Sequence, residues 1–270
     1  MSVAAHYEVQ LDRHEAKYLI PASLAPRIRE FIHPFCEPDP YTRGDPPQYV
    51  VTTLQLDTPD FALHRAKANE AVDRFKLRAR TYGEPGESAV YLEIKRKFHG
   101  TIMKSRAKVP FDAWNESLIR SVRQNVRLKS RSEETGLVEF IRLVRETGAR
   151  PVLLVRYRRE SYFGRADPYA RVTFDRELAY QPTDAWDGWG RGGRWRAMDL
   201  PIAQNRHHAF SGVILEIKTL SEAPHWMMDL VMHFDLERIG ICKYACAVWQ
   251  ESVFDDRTYA PYTAEDLLSP

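Results

Sequence analysis

No stretch of the sequence reaches eighteen consecutive apolar residues, and Pro151-Val-Leu-Leu-Val155 is typical of its longest. A helical membrane span is thereby excluded. Cysteine is scarce, with only Cys36, Cys242 and Cys246. Three thiols cannot all pair with one another, and Cys242 with Cys246 gives too few donors for a zinc site. Free thiols in a reducing cytoplasm are expected. A dominant charge sign is also missing: 39 Lys and Arg stand against 37 Asp and Glu, a formal net charge of +2. That is too small for a generic nucleic-acid coat, and nucleic acid is not expected as a partner. Met1–Tyr7 lack the charged-then-apolar pattern of a signal peptide. Neither low-complexity tracts nor internal repeats are visible. What remains is a globular balance, 44% hydrophobic and 28% charged, over 270 residues. It suits one large domain or two small ones.

Alternation of apolar and polar residues marks extended chain in eight places: Tyr7–Ile20, Tyr49–Asp57, Asp73–Tyr82, Val90–Phe98, Ile102–Val109, Val152–Phe163, Arg171–Leu178 and Val213–Leu220. Helical spacing is clearest over Ala22–Phe35, over Ala113–Thr147 with a break near Ser130–Ser132, and over Pro224–Glu237. Proline suits a first helical turn, where a missing N–H costs little. Glu37–Gln48 reads as a loop, Gly83–Ser88 as a hairpin connection and Ala185–Arg196 as a mobile insertion. None separates halves of different composition. A single domain over 1–270 is expected, with a core of about 7–250 and a tail at 251–270. Its class is α+β, mostly β with peripheral helices.

The polar half of the alternation is unusually basic. Lys76, Arg78 and Arg80 share one face of their strand; Glu93, Lys95 and Lys97 share one face of the next; Lys104, Arg106 and Lys108 share one face of the third. Arg13, Glu15 and Lys17 repeat the pattern near the start, and Glu216 and Lys218 near the end. Side chains two apart on a strand stand roughly 6.5–7 Å apart, and neighbouring strands about 4.8 Å. The three central strands would therefore build a dense cationic face. The intervening Phe75, Leu77, Ala79, Leu92, Ile94, Leu215 and Ile217 are apolar and can pack on helices. Two arrangements satisfy this pattern. The charges can stand in water with scattered ion pairs, or about eight antiparallel strands can close into a barrel around them. An empty cationic interior is self-repelling and costly to desolvate. A polyanion inside it offsets that cost through charge-assisted bonds from Arg and Lys to phosphate oxygens. Glu15, Glu93 and Glu216 would then orient the cations or hold a divalent metal. Mg²⁺ needs few protein carboxylates when phosphates supply its other ligands.

Ordered segments over about Tyr7–Tyr244 carry a family resemblance: Arg13-His-Glu-Ala-Lys-Tyr18, Leu54-Gln-Leu-Asp-Thr-Pro59, Lys76-Leu-Arg-Ala-Arg-Thr-Tyr-Gly83, Leu92-Glu-Ile-Lys95, Lys104-Ser-Arg106, Tyr157-Arg-Arg159, Arg171-Val-Thr-Phe-Asp175, Leu215-Glu-Ile-Lys218, Pro224-His-Trp226 and Cys242-Lys-Tyr244. Together they resemble the polyphosphate polymerase domain of the vacuolar transporter chaperone (VTC) proteins, within the triphosphate tunnel metalloenzyme (CYTH-like) superfamily. The resemblance implies an eight-stranded antiparallel β-barrel tunnel holding nucleoside triphosphate and growing polyphosphate. It implies phosphate contacts for Lys17, Arg78, Arg80, Lys95, Lys104, Arg159, Arg171 and Lys243, a hydroxyl from Tyr157, and Mn²⁺ or Mg²⁺ on Glu216. Lys95, Arg159, Arg78 and Arg80 form the expected catalytic set; Lys76, Arg106 and Lys218 join the substrate contacts from the face analysis. Arg159 and Lys243 come from the resemblance alone.

The implied reaction is transfer of the ATP γ-phosphoryl group to polyphosphate. The alternatives are a triphosphatase or polyphosphatase on the same scaffold, and a non-catalytic polyphosphate- or nucleotide-binding subunit. Family relatives act beside a membrane-embedded module. This chain shows none, and a standalone cytoplasmic domain is expected, with docking on a separate membrane protein an option that the sequence itself does not show. Its oligomeric state is left open. Two departures stand out. Superfamily hydrolases carry Glu-x-Glu-x-Lys near the N-terminus, where this chain has Arg13-x-Glu15-x-Lys17. Cys242 stands where the family commonly has Ser, and a thiol is the weaker donor.

Other conspicuous residues have simpler readings. Asp57 before Thr58-Pro59 suits a cap or turn. His207 and His208 point opposite ways on extended chain and read as surface residues. Trp186, Trp189 and Trp195 suit a cover or partner contact, with stacking on a base the alternative. Arg120, Arg123, Arg127, Lys129 and Arg131 read as a solvated helical face, or as a guide for an anionic chain.

Overall fold

The computed structural model describes residues 13–121, 126–167, 169–198, 212–220 and 222–254. They form two compact units. One is built on Val51–Val155 with Gln181–Trp195, the other on the described parts of Leu11–Val50, Arg156–Tyr180 and Arg196–Pro270. The strands are β1 (Arg13–Pro21), β2 (Cys36–Pro38), β3 (Gln48–Asp57), β4 (Asp73–Tyr82), β5 (Val90–Phe98), β6 (Thr101–Val109), β7 (Arg150–Gly164), β8 (Arg171–Pro182), β9 (Arg196–Ala197) and β10 (Gly212–Leu220). The helices are α1 (Leu24–Ile32), α2 (Ala62–Ala68), α3 (Glu116–Arg120), α4 (Arg131–Thr147), α5 (His225–His233) and α6 (Lys243–Phe254). The class is α+β, as expected.

In the first unit, β3, β4, β5 and β6 pair antiparallel in that order. Their register stacks Leu77 against Ile94 and Ala79 against Leu92, and Leu92 against Ala107. This apolar face takes α4, whose Leu137, Phe140, Ile141 and Val144 recur at helical spacing and are buried with it. Burying each such side chain contributes about 1.5–3 kcal/mol. Ser130 starts α4 by accepting the Glu133 N–H on its hydroxyl, at 3.2 Å. Gly148, in the left-handed region at φ 66°, ends it. The helix comes unusually close to β6: a Cβ added at Gly136 would lie 2.9 Å from the Arg106 carbonyl oxygen.

In the second unit, β1 pairs with β10 and β10 with β8, both antiparallel, and β2 pairs with the far half of β7. Tyr18, Ile20, Val172, Phe174, Leu215 and Ile217 form the apolar face, covered by Ala25, Ile28 and Ile32 of α1 and Met227 and Leu230 of α5. Behind β7, the buried Glu160 accepts the Arg29 guanidinium of α1 at 3.0 and 3.2 Å and the Tyr162 hydroxyl at 3.1 Å. The outer edge of β1 is not bare. Arg238 bridges to Tyr18, and the Ile239 N–H donates to the Lys17 carbonyl at 2.8 Å. That added segment leads directly into α6.

The alternation located the eight main strands, with ends shifted by a few residues; the part of the first before residue 13 lies outside the described residues. The expected long helix is divided, but α3 ends at Arg120 and α4 begins at Arg131, and the described residues 126–130, expected as helix, are not helical. Pro224 is the residue before α5 rather than inside it. The short β2 and β9, and the helices α2 and α6, were not expected. Among the described residues no helix is long and apolar enough to cross a membrane.

Gly136 supplies a stability prediction. Alanine is the better helix former by roughly 0.5–1 kcal/mol, but its methyl must push α4 off β6, which costs about 1–3 kcal/mol. Gly136→Ala should therefore lower the melting temperature. A rise would show that the two backbones separate freely.

Candidate functional site

The polar face of the second unit gathers charge from five elements. Register sets Lys17 of β1 opposite Glu216 of β10, and Glu15 opposite Lys218. Lys218 in turn lies opposite Arg171 of β8. The Lys17 ammonium is 3.0 Å from Glu15 and donates to the Ile241 carbonyl at 3.3 Å. Lys218 reaches Glu216 at 2.7 Å and Glu15 at 3.7 Å, so it bridges both carboxylates. On β7, Arg159 makes a forked pair with Asp175 of β8, Nε to Oδ1 and Nη2 to Oδ2, each 2.7 Å. Its Nη2 also lies 3.7 Å from Glu216. Lys243, the first residue of α6, contacts the same Asp175 at 2.7 Å. The Tyr157 ring sits under both cations, 5.3 Å from the Arg159 guanidinium carbon and 4.7 Å from the Lys243 ammonium. Arg171 lies over the Phe163 ring at 4.1 Å.

Burial works against the charges of Lys17, Arg159, Asp175 and Glu216, and their partners outweigh it. Asp175 is held below the usual carboxylate range by Arg159 and Lys243. Glu216 is held well below it by Lys218, Arg159, Lys17 and Lys243. Glu15 and Glu216 raise Lys17, and Asp175 raises Arg159 well above its ordinary value. Lys17, Arg159, Asp175 and Glu216 are therefore ionised at neutral pH.

The first unit carries a separate array, denser in cations. Three rows cross β4, β5 and β6: Lys76, Lys95 and Lys104; Arg78, Glu93 and Arg106; Arg80, Tyr91 and Lys108. Glu93 is its hub, 2.6 Å from Arg78, 3.7 Å from Arg80 and 3.5 Å from Arg106. Burial raises the Glu93 carboxyl, but the three arginines outweigh it and hold it at about 2. Arg80 also donates to the Thr53 hydroxyl at 3.3 Å, and Arg106 stacks over Tyr91 at 3.9 Å.

The expected residues thus fall into two groups. Lys76, Arg78, Arg80, Lys95, Lys104 and Arg106 share the face in the first unit. Lys17, Tyr157, Arg159, Arg171, Glu216, Lys218 and Lys243 belong to the cluster in the second. Asp175 was missed. Its only sequence signal was its alternation with Thr173 and Arg171, which gives no hint of Lys243.

Several other expectations resolve. Asp57 is a capping residue: fully buried, it accepts the N–H groups of Thr58, Leu63 and His64 at 2.8–2.9 Å. The tryptophan loop is a cover. Trp189 is 3% exposed, Trp186 and Trp195 pack on the same core, and the Trp114 indole donates to the Trp186 carbonyl at 2.6 Å. Trp189 is engaged inside the unit, while Trp186 and Trp195 are half-buried. The basic stretch is not one helical face, because α3 ends at Arg120 and α4 begins only at Arg131. Arg123, His207 and His208 lie outside the described residues.

A metal on Glu216 would find hard carboxylate oxygens but few of them. Among the described residues no group of three or more His, Cys, Asp or Glu could hold an ion. The Lys218 ammonium, 2.7 Å from Glu216 and 3.7 Å from Glu15, occupies the position between the two carboxylates, so a cation on Glu216 would draw its remaining ligands from phosphate oxygens.

A carboxyl held at about 2 stabilises the fold fully above the ordinary carboxylate range and ceases to as pH falls through 2. Glu93→Gln should cost on the order of 3 kcal/mol at pH 7. The gap from wild type should narrow as the pH is lowered from 5 toward 2.5. Denaturant titrations across that interval measure it; a constant gap would show that the arginines do not hold Glu93.

No curated protein matches the chain. Among solved structures, a Bacillus halodurans protein described as a candidate adenylate cyclase is 11% identical, with TM-score 0.46, covering 84% of this chain and 92% of its own. A Pyrococcus horikoshii protein is 13% identical, with TM-score 0.42, covering 88% and 99%. A chain titled as the Schizosaccharomyces pombe Mediator head module is 10% identical, with TM-score 0.35, covering 91% and 95%. At these scores none of the three bears on function. The model of the VTC domain, by contrast, matches residues 12–250, nearly the whole of the described sequence and both cationic faces. The chain belongs to the VTC domain family.

Proposed function

We propose that this protein is a polyphosphate polymerase that transfers the γ-phosphoryl group of ATP to the end of an inorganic polyphosphate chain. One observation carries the reading. In the first unit, nine cations of β4, β5 and β6 (Arg74, Lys76, Arg78, Arg80, Lys95, Lys97, Lys104, Arg106 and Lys108) share a face on which these strands place one carboxylate, Glu93. Such crowding is unfavourable without an anion, and a row of lysines flanked by arginines suits a chain of phosphates better than one flat carboxylate. Membership of the VTC domain family supports the same substrate class.

The chemistry asks little of the protein in proton transfer. A terminal phosphate oxygen is already an anionic nucleophile, so no general base is required. Arg159, Lys243 and Lys17 would hold the reacting phosphoryl in line and balance the charge spread over its oxygens, while Tyr157 supports the two cations above its ring. In the first unit, Lys95, Arg78 and Arg80 would hold phosphates on their own face. Glu216 would hold Mn²⁺ or Mg²⁺, whose contribution is further neutralisation of the phosphoryl oxygens. ADP leaves as the chain lengthens by one phosphate. A cytoplasmic setting beside a membrane partner that takes the product fits this reading.

Incubation with ATP and Mn²⁺ should yield polyphosphate visible on a gel. Arg159→Ala and Lys95→Ala should each reduce synthesis about 10²–10³-fold, the range for loss of one preorganised donor, with the folded state retained. Release of orthophosphate from triphosphate without chain growth would assign a hydrolase instead. Salt-sensitive polyphosphate binding with no turnover under either metal would assign a binding subunit.

A further inference from the structure

A carboxylate is an unexpected neighbour for phosphate. Asp175 nevertheless lies at the centre of the cations in the second unit, and it is fully buried. Both of its oxygens are engaged, Oδ1 and Oδ2 by Arg159 and Oδ2 again by Lys243, all at 2.7 Å. Its two partners arrive from different elements, the middle of β7 and the first turn of α6. They stand over one tyrosine ring, near enough to repel each other strongly without an anion between them. Asp175 comes from β8, in the register position opposite Ile214, and is not a long mobile side chain.

We infer that Asp175 is a positioning residue, which fixes the Arg159 guanidinium and the Lys243 ammonium in the arrangement that receives phosphate while touching no phosphate itself. Two of the five guanidinium N–H groups are directed at Asp175, and the fork geometry sets the plane in which the other three point. One of the three ammonium protons of Lys243 is directed at it in the same way. The carboxylate's negative charge is covered by its own cations and does not face the incoming anion. Without it, two flexible cations would separate under their mutual repulsion. The inference rests on the reading above, that Arg159 and Lys243 bind phosphate.

Simple charge counting and positioning give opposite signs, which makes the test sharp. Asp175→Asn adds one net positive charge to an anion site, so electrostatics alone predicts tighter binding. Positioning predicts weaker binding. Calorimetric titration of the folded protein with inorganic tripolyphosphate, without turnover, should show Asp175→Asn binding about tenfold more weakly, as expected when a contact is displaced. In an Arg159→Met/Lys243→Met background the same substitution should weaken binding no further, because nothing is left to position. A purely structural role would leave the affinity of the folded fraction unchanged. Unchanged or tighter binding by Asp175→Asn overturns the inference. Should that variant fail to fold, Asp175→Glu keeps the charge and moves the carboxylate outward by one methylene. Weakened tripolyphosphate binding then supports positioning, and wild-type affinity overturns it. Arg159→Met separates the two levels of the reading. If it binds tripolyphosphate as wild type does, the phosphate assignment itself fails. If it binds weakly while Asp175→Asn does not, only the positioning role fails.

Discussion

Like charges set side by side on a sheet repel, and much of the architecture around the candidate site follows from how that repulsion is contained. In the first unit, register forces Lys76, Lys95 and Lys104 into one row, an arrangement that directly opposed like charges disfavour. One half-buried carboxylate, Glu93, offsets the neighbouring arginines. In the second unit three carboxylates, Glu15, Asp175 and Glu216, are interleaved among the cations. The first face is left with a large cationic excess and the second with a nearly balanced, tightly bonded lattice. The two differ accordingly in what they can offer an anion: the first a charged track, the second a small number of well-aimed donors.

The register that creates this crowding is held from the other side of the strands. Leu77, Ala79, Leu92 and Ile94 in one unit, and Val172, Phe174, Leu215 and Ile217 in the other, are buried under helices. A slip of one residue would turn every cation into that apolar layer and every apolar residue outward. Hydrophobic burial therefore stabilises a polar arrangement that is unfavourable by itself. The close approach of α4 to β6 at Gly136 belongs to the same logic, since it seats the strand that carries Arg106.

Period-two patterning was enough to locate the main strands and to assign Lys76, Arg78, Arg80, Lys95, Lys104 and Arg106 to one face, because side-chain direction along a strand depends only on sequence parity. Arg159 and Lys243 were reached through family resemblance alone, and the reason is visible in the fold. Lys243 enters by way of the segment 238–243 laid along β1, a contact between residues more than two hundred positions apart. The helix it opens was missed because Lys243–Phe254 begins with a continuous apolar run, Tyr244 to Trp249, without the polar intervals that mark an amphipathic helix. The tryptophan-rich loop misled in the other direction. Its glycines suggested mobility, whereas Trp189 is packed into the core.

By itself the sequence determined the strand pattern, the sorting of charge from apolar residues and the family, because each is written in local spacing or in ordered short segments. The tertiary structure decided the partnerships: Lys218 between Glu15 and Glu216, Glu93 among three arginines, Asp175 beneath Arg159 and Lys243. The physical reason is that parity says which way a side chain points but not what stands opposite it. Opposition is set by register and by chain segments distant in sequence, and those exist only once the apolar faces have been buried.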